Sequence, residues 1–353
     1  MKVDSVDVTK MDLKDVSDRL KGPIGTNVRI QVQRIVDQPS SDTDADDPES
    51  SDAKTDPTEL VSLTIPRATI ALESVIGDHR GKDNQWVYRL DSDPNIAYVR
   101  LTSFGEKTVH ELQQVLRGLN NQFDALVLDL RGNSGGLLYA ACDVSDMFLT
   151  KGRIVSTKTR GGKPEEVYDA RAGTLVASNK PLTVLIDGDS ASASEIVAAC
   201  LQDNQRATIV GTRSYGKGTV QNILPLQFGR SALRLTVARY YRPSVKNIHR
   251  AKDATEEDEW GVKPDDGFLV TMDNETLGRL LKRWQEASYP LLASPKKTDP
   301  AEDSPTQASD NLKFDPQLNR AVDHLREQLQ GKSPAKSIPV SYTHLTLPTI
   351  YSV

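Results

Sequence analysis

A serine among small residues and a lysine between two glycines are the features of this sequence with the clearest chemical potential. Ser192 lies at the centre of the run S-A-S-A-S, and Lys217 lies between Gly216 and Gly218. A serine attacks a carbonyl only when a base takes its proton, and a lysine serves as that base in its neutral form. The two residues therefore indicate nucleophilic catalysis, provided that the fold brings them together.

The serine is predicted to occupy a turn between a strand and a helix. The apolar run Leu182–Ile186 is typical of a buried strand, D-G-D interrupts it, and a helix is predicted over residues 192–201. Backbone N–H groups at the start of a helix are free and favour a developing negative charge. We therefore expect the N–H of Ala193 to serve as one oxyanion donor beside Ser192.

The same segment permits simpler interpretations. Ser192 and Glu195 have the spacing of a helix capping box, in which the serine has a purely structural role. Ser190 and Ser194 are alternative nucleophiles by composition.

A second glycine-rich turn follows another apolar strand. Residues 125–130 read A-L-V-L-D-L, as expected of a sheet covered on both faces, and R-G-N-S-G-G follows directly over 131–136. Paired glycines let backbone N–H groups point at a ligand. Gly135 or Gly136 is therefore a candidate for the second oxyanion donor, although the turn alone is equally typical of a tight connection.

The lysine segment resembles a nucleotide-binding loop without completing one. Residues 211–217 match most of a Walker A motif, but Gly218 stands where that motif needs serine or threonine for magnesium, and extended structure is predicted where its helix should follow. A lysine between glycines in apolar surroundings is instead expected to be desolvated, which favours the neutral amine. Gln221 is placed to orient that amine.

Composition excludes several other classes of function. The chain has 353 residues and a formal net charge of −5, which gives no overall attraction to nucleic acid. No apolar run has the length of a membrane-spanning helix. Cys142 and Cys200 lie in apolar surroundings and are expected to be buried thiols, and the five histidines are scattered, so we expect no metal site, no cofactor and no Ser-His-Asp triad.

Alternating strands and helices predict an α/β core. Helices are expected over 12–20, with an apolar stripe at Leu13, Val16 and Leu20, and over 109–119, 275–286 and from Asp315 onward. Further strands are expected over 28–32, 60–65, 96–104, 208–211 and 233–241. The acidic stretch 37–59, with nine acids and one lysine, is expected to be a disordered insertion in a hairpin.

Together these segments resemble the carboxyl-terminal processing (tail-specific) proteases over roughly residues 3–265. The resemblance lies in L-D-L-R-G-N-S-G-G (128–136), D-S-A-S-A-S-E-I (189–196), G-T-R-S-Y-G-K-G-T-V-Q (211–221), L-T-V-A-R-Y-Y-R-P-S (235–244) and G-V-K-P-D (261–265). It implies that Ser192 is the nucleophile, Lys217 the general base and Gln221 the residue that positions the lysine. It also implies an oxyanion hole from Gly135 or Gly136 with Ala193, and a structural role for Asp203.

The resemblance further implies a crotonase-like α/β protease core that follows a PDZ domain and cleaves proteins near unstructured C-termini. The expected organisation is a partial PDZ domain over 1–76, the core over 77–270 and a helical region over 271–339. The PDZ match begins only at its middle, near residues 3–8, so its carboxylate-binding loop is expected to be missing. The implied location is the bacterial cell envelope or periplasm, although no export signal is recognisable, and an oligomer is possible.

Residues 340–353 resemble a translated sequencing adapter and are not expected to belong to the fold. Two alternative functions remain open at this point. One is a truncated, non-catalytic PDZ-containing scaffold, and the other is a crotonase-like acyl-transfer enzyme, whose core also uses paired backbone N–H donors.

Overall fold

The computed structural model describes residues 1–35, 58–69, 73–159, 161, 164–288 and 314–331. The chain divides into two compact units, Met1–Leu72 and Glu73–Val353. Two of the predicted features lie outside the described residues: the acidic insertion apart from its last two residues, and residues 340–353.

The first unit is a four-stranded antiparallel sheet with one helix. Its elements are β1 (Lys2–Val3), β2 (Val6–Asp7), α1 (Leu13–Leu20), β3 (Asn27–Ile35) and β4 (Thr58–Pro66). The strand order is β2-β1-β3-β4. Pairing of β3 with β4 from Asn27–Pro66 to Ile35–Thr58 confirms both predicted strands and makes them the arms of a hairpin.

Helix α1 is present, but the predicted apolar stripe is not buried. Leu13 is 85% exposed and no residue of the helix is buried among the residues described. Polar contacts define its ends instead. The Asp12 carboxylate accepts from the N–H of Asp15 at 2.8 Å, and the Arg67 guanidinium donates to the carbonyls of Arg19 and Leu20 at the other end.

The second unit is built on a six-stranded mixed sheet. The strands are β5 (Val75–Ile76), β8 (Arg89–Leu90), β9 (Asp93–Leu101), β10 (Ala125–Asp129), β13 (Leu182–Ile186) and β14 (Thr208–Gly211). They run in the order β14-β13-β10-β9-β5, with β8 also paired to β9. The four strands from β9 to β14 in this sheet are mutually parallel.

Smaller sheets complete the unit. β6 (His79–Arg80) pairs with β7 (Trp86–Val87), and a four-stranded antiparallel sheet joins β11 (Arg153–Thr159), β12 (Pro164–Asp169), β15 (Thr219–Leu226) and β16 (Ser231–Tyr241). The sequence patterns predicted the last two of these strands and missed the others.

Helices cover both faces of the parallel strands. α2 (Thr108–Leu119), α3 (Leu138–Asp146) and α4 (Ala193–Asp203) contribute to the larger apolar core on one face. α5 (Asn274–Ser288) follows later in the chain, and α6 (Pro316–Gly331) packs Leu318, Val322 and Leu325 against the opposite face. This arrangement explains why every residue of β10 and β13 is buried, as their continuous apolar sequences predicted.

The sheet also brings the chemistry-bearing segments to one edge. The parallel register aligns Asp129 of β10 with Leu185 of β13, and Ile186 with Gly211 of β14. The turn at 131–136, the serine turn at 187–192 and the lysine loop at 212–218 each follow one of these strands. All three therefore begin at the carboxyl edge, where open α/β sheets carry their sites.

Candidate active site

Ser192 lies at a sharp bend between β13 and α4. Its φ and ψ are 56° and −110°, a combination that is costly for a residue with a side chain. The bend is held by neighbouring contacts, since the N–H of Ala191 donates to the Asn133 carbonyl at 3.0 Å. Ser192 is 9% exposed and occupies a strained and well-fixed point of the backbone.

The two neighbouring serines have structural contacts instead. Ser190 and Ser194 are fully buried. The Ser190 hydroxyl donates to the carbonyl of Leu130 at 2.9 Å, and the Ser194 hydroxyl donates to that of Asn133 at 2.8 Å. Both hydroxyls are therefore engaged with backbone carbonyls, and Ser192 is the one serine of this run that is not fully buried.

The glycine turn lies directly against Ser192. A Cβ atom added to Gly135 would come within 2.8 Å of Cβ of Ser192 and 2.6 Å of the Ala191 carbonyl oxygen. A Cβ on Gly136 would meet the Phe104 carbonyl at 2.2 Å. Both positions also have positive φ, 99° and 152°, so glycine is required for conformation and for space.

The three expected oxyanion donors differ in availability. The N–H of Gly135 already donates to Oδ1 of Asn133 at 2.9 Å. Among the described residues, the N–H groups of Gly136 and Ala193 have no hydrogen-bond acceptor. Gly136 and Ala193 are therefore the members of the expected set that are free to donate to a substrate oxygen.

Asn133 is a site residue that the sequence patterns did not single out. Its side chain is fully buried, donates from Nδ2 to the Leu101 carbonyl at 2.8 Å, and accepts from Gly135. Its own carbonyl accepts from Ala191 and Ser194. One residue thereby fixes the glycine turn to the bend that carries Ser192.

Glu195 joins the serine turn to the lysine loop. The residue is fully buried, and its Oε2 accepts from the backbone N–H groups of Ser192 at 2.7 Å and Lys217 at 2.8 Å. Its Oε1 accepts from the Ser214 hydroxyl and the Gly216 N–H, both at 2.6 Å. The capping box is thus present, but its carboxylate also holds a loop far along the chain.

The environment of Glu195 has two opposing effects. Burial raises the pKa of its carboxyl group above the ordinary value, and the four donors that surround it oppose that rise. Each oxygen already accepts two hydrogen bonds, which is the full acceptor capacity of an ionised carboxylate. The hydrogen-bond geometry therefore fits the ionised form.

The same contacts argue against a phosphate-binding loop. The N–H groups of Gly216 and Lys217, which would face a phosphate in a Walker A motif, donate to Glu195. The chain continues into strand β15 and not into a helix, as expected from Gly218 onward.

The backbone around Lys217 is fixed by its neighbours. The carbonyls of Gly216 and Gly218 accept from the N–H groups of Arg250 and Tyr240, both at 2.9 Å. A Cβ on Gly218 would lie 2.2 Å from the backbone nitrogen of His249, so the glycine permits close approach of two backbone segments.

Burial of the lysine, expected from its glycine neighbours, is not found. The Lys217 side chain is exposed and its amine makes no hydrogen bond within the described residues. Gln221 is also exposed, on β15 beside an irregularity in the pairing with β16, and within the described ranges its side chain makes no hydrogen bond with Lys217. Among the described residues, the structure thus links the backbones of Lys217 and Ser192 through Glu195, with no hydrogen bond between their two side chains.

Asp203 occupies the end of α4, away from these turns. It pairs with Arg242 at 2.6 Å and accepts from the Ser244 N–H at 2.9 Å. Burial acts to raise the pKa of Asp203, but these hydrogen bonds outweigh it and lower the pKa below the ordinary value. The contacts agree with the structural role that the resemblance implied.

In the described ranges, no three His, Cys, Asp or Glu side chains are grouped to hold a metal ion. Cys142 and Cys200 are buried free thiols. None of the helices in the same ranges combines the length and apolar character needed to cross a membrane.

Comparison with known proteins gives a consistent family assignment. The model of Peptidase family S41 matches residues 95–266. A carboxy-terminal-processing protease of Bartonella bacilliformis is 37% identical, over 93% of this chain and 67% of that protein. A carboxyl-terminal-processing protease of Synechocystis sp. is 33% identical, over 75% of this chain and 52% of that protein.

Among solved structures, a photosystem II D1 C-terminal processing protease is similar, with 27% identity and a TM-score of 0.48, over 83% of this chain and 67% of that chain. The chain spans between half and two thirds of the length of these relatives. The coverage of both chains and the sequence identity with the Bartonella bacilliformis protease decide the assignment. The chain belongs to the carboxyl-terminal processing proteases of peptidase family S41, a family of serine-type peptidases.

Proposed function

We propose that the protein cleaves peptide bonds through an acyl-enzyme formed on Ser192, with Lys217 as general base. As Ser192 Oγ bonds to the substrate carbonyl carbon, its proton passes to the neutral amine of Lys217. The carbon–nitrogen bond then breaks, and Lys217 returns the proton to the leaving amine. Water, activated by the same amine, hydrolyses the ester and restores the serine.

The observation that carries this proposal is the shared contact with Oε2 of Glu195. One oxygen accepts from the backbone N–H groups of both Ser192 and Lys217, so the two nitrogens are no farther apart than the sum of two hydrogen bonds. A lysine side chain is a flexible four-carbon stem and spans such a distance readily.

The proposal requires the exposed amine of Lys217 to turn toward Ser192 when substrate binds. Exposed side chains change rotamer within about nanoseconds, and catalytic hydrogen bonds are often formed only in the substrate complex. Bound peptide would also exclude water from the amine and so favour its neutral form. Gln221, four residues along the chain, is proposed to hold the amine in its inward position.

Gly136 and Ala193 are proposed as the oxyanion donors. Their N–H groups have no acceptor among the described residues, and they belong to the two turns that meet at Ser192. Gly135, the other expected donor, is assigned to shaping the turn because its N–H is bound to Asn133.

Two relatives are named as carboxy-terminal or carboxyl-terminal processing proteases, which supports protein C-termini as the substrates. The parallel strands with connecting helices support a crotonase-like core, and the small antiparallel sheet with one helix supports a partial PDZ domain in the first unit. We further propose a bacterial cell envelope location and substrates with unstructured C-termini, on the resemblance given above.

The pH dependence of cleavage tests the assignment of the base. Because only a neutral amine accepts a proton, kcat/KM for a disordered peptide is expected to increase with pH. Lys217→Arg should be inactive throughout, since a guanidinium has no acceptor. A profile that stays flat from mildly acidic to alkaline pH, or an active arginine variant, would contradict a lysine base.

A further inference from the structure

The guanidinium of Arg131 is buried at the start of the glycine turn. The residue is fully buried and lies two positions after the last residue of β10, Asp129. It donates to Asp129 at 2.6 Å from Nη2 and at 3.0 Å from Nε. Burying a charged group is costly unless charged partners and hydrogen bonds compensate, so these contacts hold the side chain in one position.

The second partner of Arg131 comes from the far end of the described chain. Nη1 and Nη2 donate to Oδ1 and Oδ2 of Asp315, each at 2.8 Å, which is the paired geometry preferred by arginine and carboxylate. Oε1 of Gln317 accepts from the same Nη1 at 3.1 Å. Asp315 is itself 1% exposed, so the ion pair is removed from water.

Asp315 is also the capping residue of α6. Its Oδ1 accepts from the N–H of Leu318 at 2.9 Å, and its carbonyl accepts from that of Asn319. Pro316 occupies the first helical position, where the missing N–H has no cost. The beginning of α6 is therefore fixed to the carboxyl edge of the sheet, where the catalytic turns begin.

We propose that Asp315 is a positioning residue for catalysis, acting through Arg131 on the turn that ends at Gly136. The inference rests on the proposed function, because it assumes that the Gly136 N–H stabilises the oxyanion. From Arg131 the chain reaches Gly136 in five residues, and Asn133 within this turn holds the Ser192 bend. The ion pair of Arg131 with Asp315 thus positions both the N–H of Gly136 and the side chain of Ser192.

Asp315→Asn isolates this role. Asparagine caps a helix as well as aspartate does, so α6 should keep its start while Arg131 loses one carboxylate. A displacement of about 1 Å in a catalytic group costs on the order of 100-fold in rate. We expect kcat to fall by roughly tenfold to 100-fold, with KM little changed because the substrate-binding surface is retained.

Arg326→Gln is the matched control. Arg326 lies on the same helix and pairs with Asp93 at 2.9 Å, but Asp93 begins β9 and therefore lies at the opposite edge of the sheet. Its loss weakens docking of α6 without touching Arg131, so kcat should stay at the wild-type value.

Two measurements on the full chain decide the proposal. Hydrogen exchange, followed by mass spectrometry, should be faster in Asp315→Asn for the peptide that covers residues 131–137, with α2 and α4 unchanged and with no such change in Arg326→Gln. kcat is measured for each variant per site titrated with a fluorophosphonate, so that unfolded molecules are not counted.

Local acceleration of exchange together with lower kcat per titrated site supports the proposal. Unchanged exchange at residues 131–137, acceleration that is uniform over the chain, or equal loss of kcat in Arg326→Gln overturns it. If the proposed function is wrong, the wild type itself shows no cleavage and no labelling by the fluorophosphonate. The comparison of hydrogen exchange at residues 131–137 still tests whether Asp315 holds the glycine turn in place.

Discussion

Ser192→Ala is expected to lower kcat/KM for peptide cleavage by about 10⁴-fold or more, because the variant has no group that can form the acyl-enzyme. The other serines of the run do not replace it, since both are buried and donate to backbone carbonyls. The N–H of residue 192 is retained, so its bond to Glu195 and the fold should persist. Cleavage of a disordered peptide tests the loss of activity, and the circular dichroism spectrum tests whether the fold is retained.

Ser194→Ala is the matched control for this substitution. It removes a neighbouring hydroxyl and one buried hydrogen bond, at an expected cost of about 1 kcal/mol in the free energy of unfolding. Most of the cleavage activity should remain. If Ser192→Ala cleaved the peptide at a rate comparable to Ser194→Ala, Ser192 would not be the nucleophile.

Glu195→Ala is expected to have the largest effect on stability. It leaves three backbone N–H groups and the Ser214 hydroxyl without their acceptor in a buried region. An unsatisfied buried donor costs about 1–3 kcal/mol, so a loss of about 3 kcal/mol or more in the free energy of unfolding is expected. Cleavage should also be lost, because Ser192 and Lys217 no longer share an anchor. Denaturant unfolding and kcat/KM on the folded protein measure the two effects.

Asp203→Asn separates stability from catalysis on the same helix. It weakens the pairing with Arg242 at the other end of α4 and should reduce stability, while cleavage per folded molecule stays near the wild-type level.

Glu195→Gln should have a stability and a cleavage rate between those of the wild type and Glu195→Ala, because the amide keeps the shape of the side chain but offers one acceptor oxygen. Wild-type cleavage by folded Glu195→Ala would refute the role of Glu195 in holding the site.

Local sequence signals were sufficient for the elements that carry the site. The continuous apolar runs of β10 and β13 predicted strands covered on both faces, because a strand buried on both faces has no polar side. Glycine-rich or small-residue turns after those runs predicted where the chain leaves the sheet. The helix over α4 followed from the capping pattern of Ser192 and Glu195.

Contacts between distant parts of the chain were not predictable in this way. The capping pattern indicated one bond of Glu195, but its contacts with Ser214, Gly216 and Lys217 depend on how β14 aligns with β13. Asp315 meets Arg131 only because α6 returns to the sheet. Short strands such as β6 and β7 escaped detection because two residues are too few to show a periodic pattern.

The expectation that glycine neighbours would bury Lys217 was wrong for a physical reason. The absence of a side chain at Gly218 serves the close approach of the His249 backbone, and the conformation of Gly216 requires a φ of 88°. Neither of these two backbone requirements encloses the amine of Lys217. The glycines around Lys217 therefore report on the backbone path more directly than on the environment of the side chain.

The most direct test of a Ser192–Lys217 site is the rate and position of covalent labelling by a fluorophosphonate, compared between wild type and Lys217→Ala. Peptide mapping of the labelled wild type should place one adduct on Ser192. Loss of a general base typically costs about 10²–10⁴-fold, so labelling of Lys217→Ala should be slower by that order at neutral pH. Labelling at Ser190 or Ser194, or equal rates in the two proteins, would contradict the assignment.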